Sequence, residues 1–392
     1  AAMYMCTRGK LSVNETMRKY FKNTEINYTR IKPDTNVVID TINLKKVDLN
    51  KLIKEKKLPK DTIRINDTLL VAIDSIFSKA TPSLNIFTVP IRYILMHYSG
   101  ISPSLPILPY IQLKKYYLRE KGLSETDSAA IAVSWKDLWD IRYTNRRTDS
   151  STIQIADHFY LKNRWMDTLW ERTKEVGVSG KKYSQYTDLN MILLQITMDT
   201  INKMNLDRYL QREIYQPLGL KNIMYKPLDH QIPRSRIVPT EHDLHWRRQV
   251  LRGHVHDPSA ALLGGISGNA GLFSSAEDLG VLFQMVLNGG TYAGKRYLSE
   301  NIIQQFIATQ SETGRGLGFD KYSPKNIVAP SASKNTYGHT GFTGCCVWVD
   351  PDSKLVYVFL SNRVHPSSKN WKINGLKVRQ NVHQVFYEAL KK

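Results

Sequence analysis

Cysteine is almost absent from this chain: three residues in 392, at Cys6, Cys345 and Cys346. That is too few for a disulfide framework, and the adjacent pair would face opposite sides of a strand, where a bond between them is out of reach. No apolar run approaches the ~18 residues that a membrane span requires, so none is expected. The opening residues Ala1 to Cys6 lack the charged-then-apolar order of an export leader. They read as the inside of a strand, which leads us to expect a mature or excised piece of a longer protein. Zinc-finger, RNA-recognition and P-loop signatures are also missing; Gly264, Gly265 and Gly268 have no Lys-Ser/Thr behind them. No specific nucleic-acid partner is therefore expected. Among ten histidines only His254-Val255-His256 approaches ligand spacing, and two such residues do not make a site. We expect neither metal nor cofactor.

Acidic residues are the minority, 35 against 55 lysines and arginines, for a net charge of +20. Lysines crowd at Lys45, Lys46, Lys51, Lys54, Lys56, Lys57 and Lys60. Such a surface attracts anionic polymers or headgroups, although a lysine run is more often a solvated helix face. The 42% hydrophobic content is ample for a sizeable core.

Patterning predicts strands at residues 2–8 and around Val37 to Ile39, then a helix carrying Leu44, Val47, Leu49, Leu52 and Ile53. Residues 67–180 read as short helices broken by turns, one of them over Thr88 to His97. A helix is expected from Thr187-Asp188 with Leu189, Ile192, Leu193 and Ile196 on one face, and another after the cap Ser275. Strands return at Arg315 to Phe319, Gly338 to Gly341, Cys345 to Val349 and Leu355 to Leu360, before a closing amphipathic helix over Lys372 to Lys391. This order predicts an α+β fold: an antiparallel sheet built from both termini, flanked by helices, with a mainly helical middle subdomain. We expect one domain, its sheet subdomain at about 1–66 and 275–392 and its helical subdomain at about 67–274.

The segment Tyr337-Gly338-His339-Thr340-Gly341-Phe342-Thr343-Gly344 stands out. Three glycines among small hydroxylated residues permit a close backbone approach, and the β-prone run behind them ends at Pro351-Asp352-Ser353. Such a strand presents N–H groups to a ligand; it is equally a glycine-softened hairpin. The choice depends on whether a nucleophile and a base accompany it, since acyl transfer needs an activated hydroxyl, a neighbouring base and an oxyanion hole.

Taken with Tyr186-Thr187-Asp188, the strand His339-Thr340-Gly341 makes the chain resemble the serine β-lactamase and penicillin-binding-protein family, in its class C and esterase-like branch. Further similar stretches are Leu95 to Ile101, Gly268 to Ser274 and Leu360 to Pro366. Arg236 to Glu241 and Gly253 to Asp257 are similar, in particular, to serine-hydrolase-like domains that follow a glycosidase in some bacterial β-N-acetylglucosaminidases. The resemblance implies a β-lactamase/transpeptidase-like fold, with Lys46, Tyr186, Asp188 and His339 in the catalytic positions. It also implies oxyanion-hole N–H groups at Asn43 and Phe342, with Thr340 and Gly341 lining the ligand. The serine of the family's Ser-x-x-Lys motif, however, aligns with Asn43 in Ile39-Asp40-Thr41-Ile42-Asn43-Leu44-Lys45-Lys46. An amide is no acylating nucleophile, and losing the serine costs a serine hydrolase about 10⁶ in turnover.

Displaced nucleophiles are available in principle at Ser179-x-x-Lys182, Ser331-x-x-Lys334, Thr41, Cys345 and Cys346, all in unpromising settings. The expected function is thus a catalytically degenerate domain holding a peptidoglycan-derived, acyl or peptide-like ligand beside an upstream glycosidase. Alternatives are a working esterase, amidase or peptidase with a displaced nucleophile, or a structural interaction domain of the envelope. Asn269 is a second departure, standing where similar domains carry His. The resemblance places the protein in the periplasm or cell envelope.

Overall fold

The computed structural model describes residues 1–21, 63–65, 68–70, 86–101, 142–174, 176–179, 184–325 and 327–391. The chain divides into two compact units, Ala1–Asn23 with Ile86–Lys392, and Thr24–Asn85. In the second, the described part is an antiparallel hairpin of Ile63–Ile65 and Thr68–Leu70, with Ile63 opposite Leu70.

The larger unit is organised by a four-stranded antiparallel sheet in the order β1 (Asp320–Lys321), β2 (Tyr337–Thr340), β3 (Cys346–Asp350), β4 (Leu355–Phe359). Register pairs His339 with Val347 and Thr340 with Cys346. On β3 the alternation sends Cys346 and Trp348 inward, where they meet Val328, Ala329, Ala332, Tyr357 and Tyr387 in one apolar cluster. The closing helix supplies Tyr387, whose hydroxyl donates to Asp350 Oδ2 at 2.7 Å, and His383, which stacks on Tyr357 at 4.2 Å. Burying this face is what fixes the register of β2 and hence the height of His339 on the sheet.

Helices expected from Thr187 and Ser275 are present as Asp188–Asn202 and Ala276–Leu287; the Ser275 hydroxyl caps the second by accepting from the Asp278 N–H. The first is buried nearly all round, through Leu189, Asn190, Ile192, Leu193, Leu194 and Met198 among others. A left-handed Lys203, φ 50°, ends it.

Five expectations are corrected. Residues 2–8 do not form a strand: Ala2–Thr7 is a helix, burying Ala2, Tyr4 and Met5, with Tyr4 donating to Glu213 at 2.9 Å. Six residues with two good helix formers per turn are ambiguous in isolation, and the tertiary contact decides. The strand at Arg315 to Phe319 is a turn, closed by Gly316 N–H on the Phe319 carbonyl, and pairing begins only at Asp320. The terminal helix is two, Lys372–Gly375 and Val378–Leu390, broken where Lys377 adopts φ 50°. The middle of the chain also holds a three-stranded sheet of Tyr143–Thr144, Phe159–Leu161 and Ile153–Ala156, its strands too short to print an alternating pattern. The helix expected over Thr88 to His97 is shorter, Ile91–Leu95, entered through Pro90. The expected strand at Val37 to Ile39 and helix from Leu44 lie outside the described residues.

Candidate ligand site around Tyr186 and His339

Two glycines let distant segments converge. A Cβ on Gly338 would lie 2.1 Å from the Val347 carbonyl oxygen, so only glycine lets β2 lie this close to β3 just before His339. A Cβ on Gly268 would lie 2.0 Å from the Met191 carbonyl, so the loop that follows rests directly on the first turns of the helix Asp188–Asn202. That approach delivers Asn269 to Asp188.

Asn269 is the hub of a carboxylate pair. Its amide nitrogen donates to Asp257 Oδ1 at 3.1 Å, its oxygen accepts from the Ser267 hydroxyl at 2.6 Å, and its side chain hydrogen-bonds Asp188. Asp257 Oδ1 is already engaged in capping the helix Pro258–Leu262 through the Ala260 N–H, at 2.7 Å. Burial first, and the charge of Asp257 second, push the Asp188 carboxyl above the usual carboxylate range. A histidine at 269 would carry a proton between the two acids; an amide only bridges them.

Tyr186 precedes this helix and lies against two imidazoles. Its ring stacks on His97, with centroids 4.2 Å apart, and tilts toward His339 at 6.1 Å. Although 52% of Tyr186 is open to solvent, desolvation of the phenol, with Asp188 next, raises its pKa above the ordinary value; Arg315 opposes the shift. The phenol therefore keeps its proton at neutral pH and can donate a hydrogen bond. His97 is buried, at left-handed φ 55°. Its Nδ1 accepts the Thr187 N–H at 3.2 Å, and its carbonyl accepts the Gln185 N–H at 2.9 Å, so it grips the backbone on both sides of Tyr186. Burial, then the charges of Arg315 and His339, depress its pKa to about 3, and the ring is neutral.

His339 faces the same space from β2. Its Nδ1 donates to the Thr340 carbonyl at 2.8 Å, while the Arg315 guanidinium donates to Nε2 at 3.4 Å. A carbonyl only accepts and a guanidinium only donates, so the tautomer is fixed with the proton on Nδ1. Arg315 is ion-paired to Asp320, whose carboxylate is also 4.0 Å from His339 Nε2. Among the described residues, the fixed cation beside His339 is therefore Arg315, behind the histidine. Beyond β2, the Gly341 N–H is bonded to the Cys345 carbonyl at 2.7 Å and the Gly344 N–H to the Gly341 carbonyl at 3.0 Å. The Phe342 N–H between them has no acceptor among the described residues.

A tyrosine at a helix start facing a His-Thr-Gly strand is one family's arrangement, and the sequence profile described as Beta-lactamase matches residues 147–378, more than half of the chain. The chain belongs to the β-lactamase family. A putative D-alanyl-D-alanine carboxypeptidase of Salmonella gallinarum is 36% identical over 205 residues, 48% of this chain and 47% of the relative. A protein of the same description from Salmonella newport matches over the same extent. The chain thus spans about half the length of the curated relatives it matches. Among solved structures, EstCE1, a hydrolase with promiscuous acyltransferase activity, superposes with a TM-score of 0.50 at 14% identity, covering 97% of this chain and 81% of the other. Simvastatin synthase (LovD) from Aspergillus terreus gives a TM-score of 0.50 at 11% identity, over 100% and 81%. At such identities these two establish the β-lactamase/penicillin-binding-protein-like fold alone.

Of the residues that the β-lactamase-family resemblance points to, Tyr186, Asp188, His339, Thr340, Gly341 and Phe342 are described, and Tyr186 and His339 face each other. Asn43, Lys46 and Thr41 lie outside the described residues. Sequence reasoning missed His97, Asp257, Arg315 and Asp320. His97 and Asp257 carried a signal, both falling in family-like stretches; Arg315 was hidden by reading its turn as a strand. The other displaced-nucleophile positions are engaged elsewhere. Ser331 accepts from Gln384 on the last helix at 2.8 Å. Cys346 is buried, its thiol pushed up to about 12 by desolvation, and the Cys345 thiol donates to the Ser361 carbonyl at 3.2 Å. Ser179 lies in a loop, its N–H on the Gly100 carbonyl. His254 and His256 bond separate carboxylates, Asp157 and Glu241, each at 2.9 Å.

Proposed function

We propose that this β-lactamase-family domain binds an acyl or peptide-like group of cell-wall origin and does not run ordinary acyl-enzyme chemistry. The reading is carried by Asn43, which the family resemblance aligns with the nucleophilic serine. The environment of Tyr186 supports it: burial and Asp188 hold the phenol above its ordinary pKa, so that it keeps its proton and can donate a hydrogen bond. Tyr186, Asp188 and His339 would then serve as ligand contacts, with the Phe342 N–H facing a polarised carbonyl. A glycosidase partner upstream and a place in the periplasm or envelope complete the proposal, and the domain is taken as one, with a sheet subdomain and a middle subdomain.

The relatives named as putative D-alanyl-D-alanine carboxypeptidases favour a second reading, a working hydrolase of peptide ends. One experiment separates the two. Intact-mass measurement after incubation with benzylpenicillin should show no adduct on the wild-type chain and a covalent increase on Asn43→Ser. Release of alanine from a D-alanyl-D-alanine peptide by the wild-type chain, abolished in Tyr186→Phe, would establish the hydrolase instead.

A further inference from the structure

Arg363 belongs to the family-like stretch Leu360 to Pro366, for which the site as described has no use. Its guanidinium carbon lies 4.4 Å from the centroid of Phe342 and 3.8 Å from that of Trp371, in the corner made by the two rings, whose centroids are 6.0 Å apart at 89°. Phe342 also stacks on His256 at 5.6 Å, and His256 is held by Glu241. Arg363 Nε donates to the Phe342 carbonyl at 2.8 Å, its Nη1 to the carbonyls of Ser368 and Asn370 at 2.9 and 3.0 Å, and its backbone N–H to the Thr343 carbonyl at 2.8 Å.

The burial is inverted from what folding alone favours. Arg363 is 6% exposed, whereas Phe342 and Trp371 are 57% and 52% exposed. Arg363 Nη2 is moreover buried with no partner among the described residues, a cost that an arginine placed for hydrogen bonding alone would avoid. The rings and the Phe342 carbonyl dictate its position. The turn is tied at Gly341 by the Cys345 carbonyl and at Phe342 and Thr343 by Arg363, which leaves the Phe342 N–H, like that of Thr343, without an acceptor among the described residues.

We propose that Arg363 is a positioning residue, clamping the carbonyl and ring of Phe342 so that the Phe342 N–H is held toward the carbonyl oxygen of a bound acyl or peptide group. This rests on the ligand site proposed above. A planar cation is required, because a lysine ammonium cannot lie against two rings while donating from separate nitrogens to three carbonyls.

The test has two arms on the full chain. In the first, protein labelled with nitrogen-15 phenylalanine is compared with Arg363→Met and Arg363→Lys, with urea midpoints recorded for each. The Phe342 amide cross-peak should move in both variants, and Trp371 fluorescence should change as its cation leaves. In the second, the same changes are made on Asn43→Ser and turnover of p-nitrophenyl acetate is measured. Misplacing one oxyanion donor should lower kcat about 100-fold with little change in KM, and lysine should not rescue. If Asn43→Ser gains no turnover, the reading of the cleft as an intact oxyanion site fails, and the amide arm alone decides the clamp. An unmoved Phe342 cross-peak in Arg363→Met overturns the proposal, as does full turnover of Asn43→Ser with Arg363→Met. Should Arg363→Met fail to fold, Trp371→Ala removes one wall of the corner and should move the same cross-peak and lower kcat in the same direction.

Discussion

Acidification should reveal His97 as the hinge pin of the site. The imidazole is buried, accepts the Thr187 N–H and has a folded-state pKa of about 3 against an ordinary 6.5. Between these values the unfolded chain takes up a proton that the folded chain refuses, so stability is complete above about pH 6.5 and falls as the pH drops toward 3. At ~1.4 kcal/mol per pH unit, lowering the pH from 7.5 to 5 removes about 2 kcal/mol through this residue alone. His97→Asn is the matched control. Asparagine tolerates the left-handed backbone, presents an oxygen to the Thr187 N–H and does not titrate. Urea unfolding of both proteins at pH 7.5 and pH 5 should show the wild type losing about 2 kcal/mol more than the variant. Other groups that respond to acid, including His383, whose pKa burial lowers to about 4, are common to both proteins and cancel. Equal losses in the two proteins, or a His97 imidazole that titrates near 6.5 by NMR, would refute the argument.

The glycines of the Tyr337 to Gly344 segment should separate sharply under mutation. Gly338→Ala drives a methyl into the Val347 carbonyl and should cost about 3 kcal/mol in urea unfolding, whereas at Gly341 the nearest atom is 3.7 Å away and alanine should change stability by less than about 1 kcal/mol. Arg247 is 6% exposed, pairs with Asp243 at 2.9 Å and donates to the carbonyls of Val255 and His256, each at 2.7 Å. Arg247→Met strands the Asp243 carboxylate and should cost about 3–5 kcal/mol, while Arg247→Met with Asp243→Asn should cost less than Arg247→Met alone. An additive double mutant would count against a coupled pair.

How far the sequence could be read depended on how local each determinant was. The helix starts at Thr187 and Ser275 were legible because a cap and an apolar periodicity lie within one short window, and the three long strands of the sheet were legible from β-branched runs set off by turns. Residues 2–8 were misread because six residues satisfy both periods, and burial against Glu213 and its neighbours chose between them. Arg315 was misread because Arg-Gly-Leu-Gly is as good a strand edge as a turn, and the partner that fixes it, Asp320, is recognisable only once His339 is opposite. The sequence could not separate the three glycines of the ligand strand either. In space Gly338 admits a neighbouring strand, Gly344 takes φ 110°, and Gly341 has room to spare.

What the sequence determined by itself was the family, because short motifs at fixed spacing carry the fold. Tertiary structure alone decided the electrostatics. It placed Asp257 and Asn269 beside Asp188, His97 under Tyr186 and Arg315 behind His339, from segments up to two hundred residues apart. A pKa depends on burial and on charges within a few ångströms, and neither quantity exists until the chain has folded.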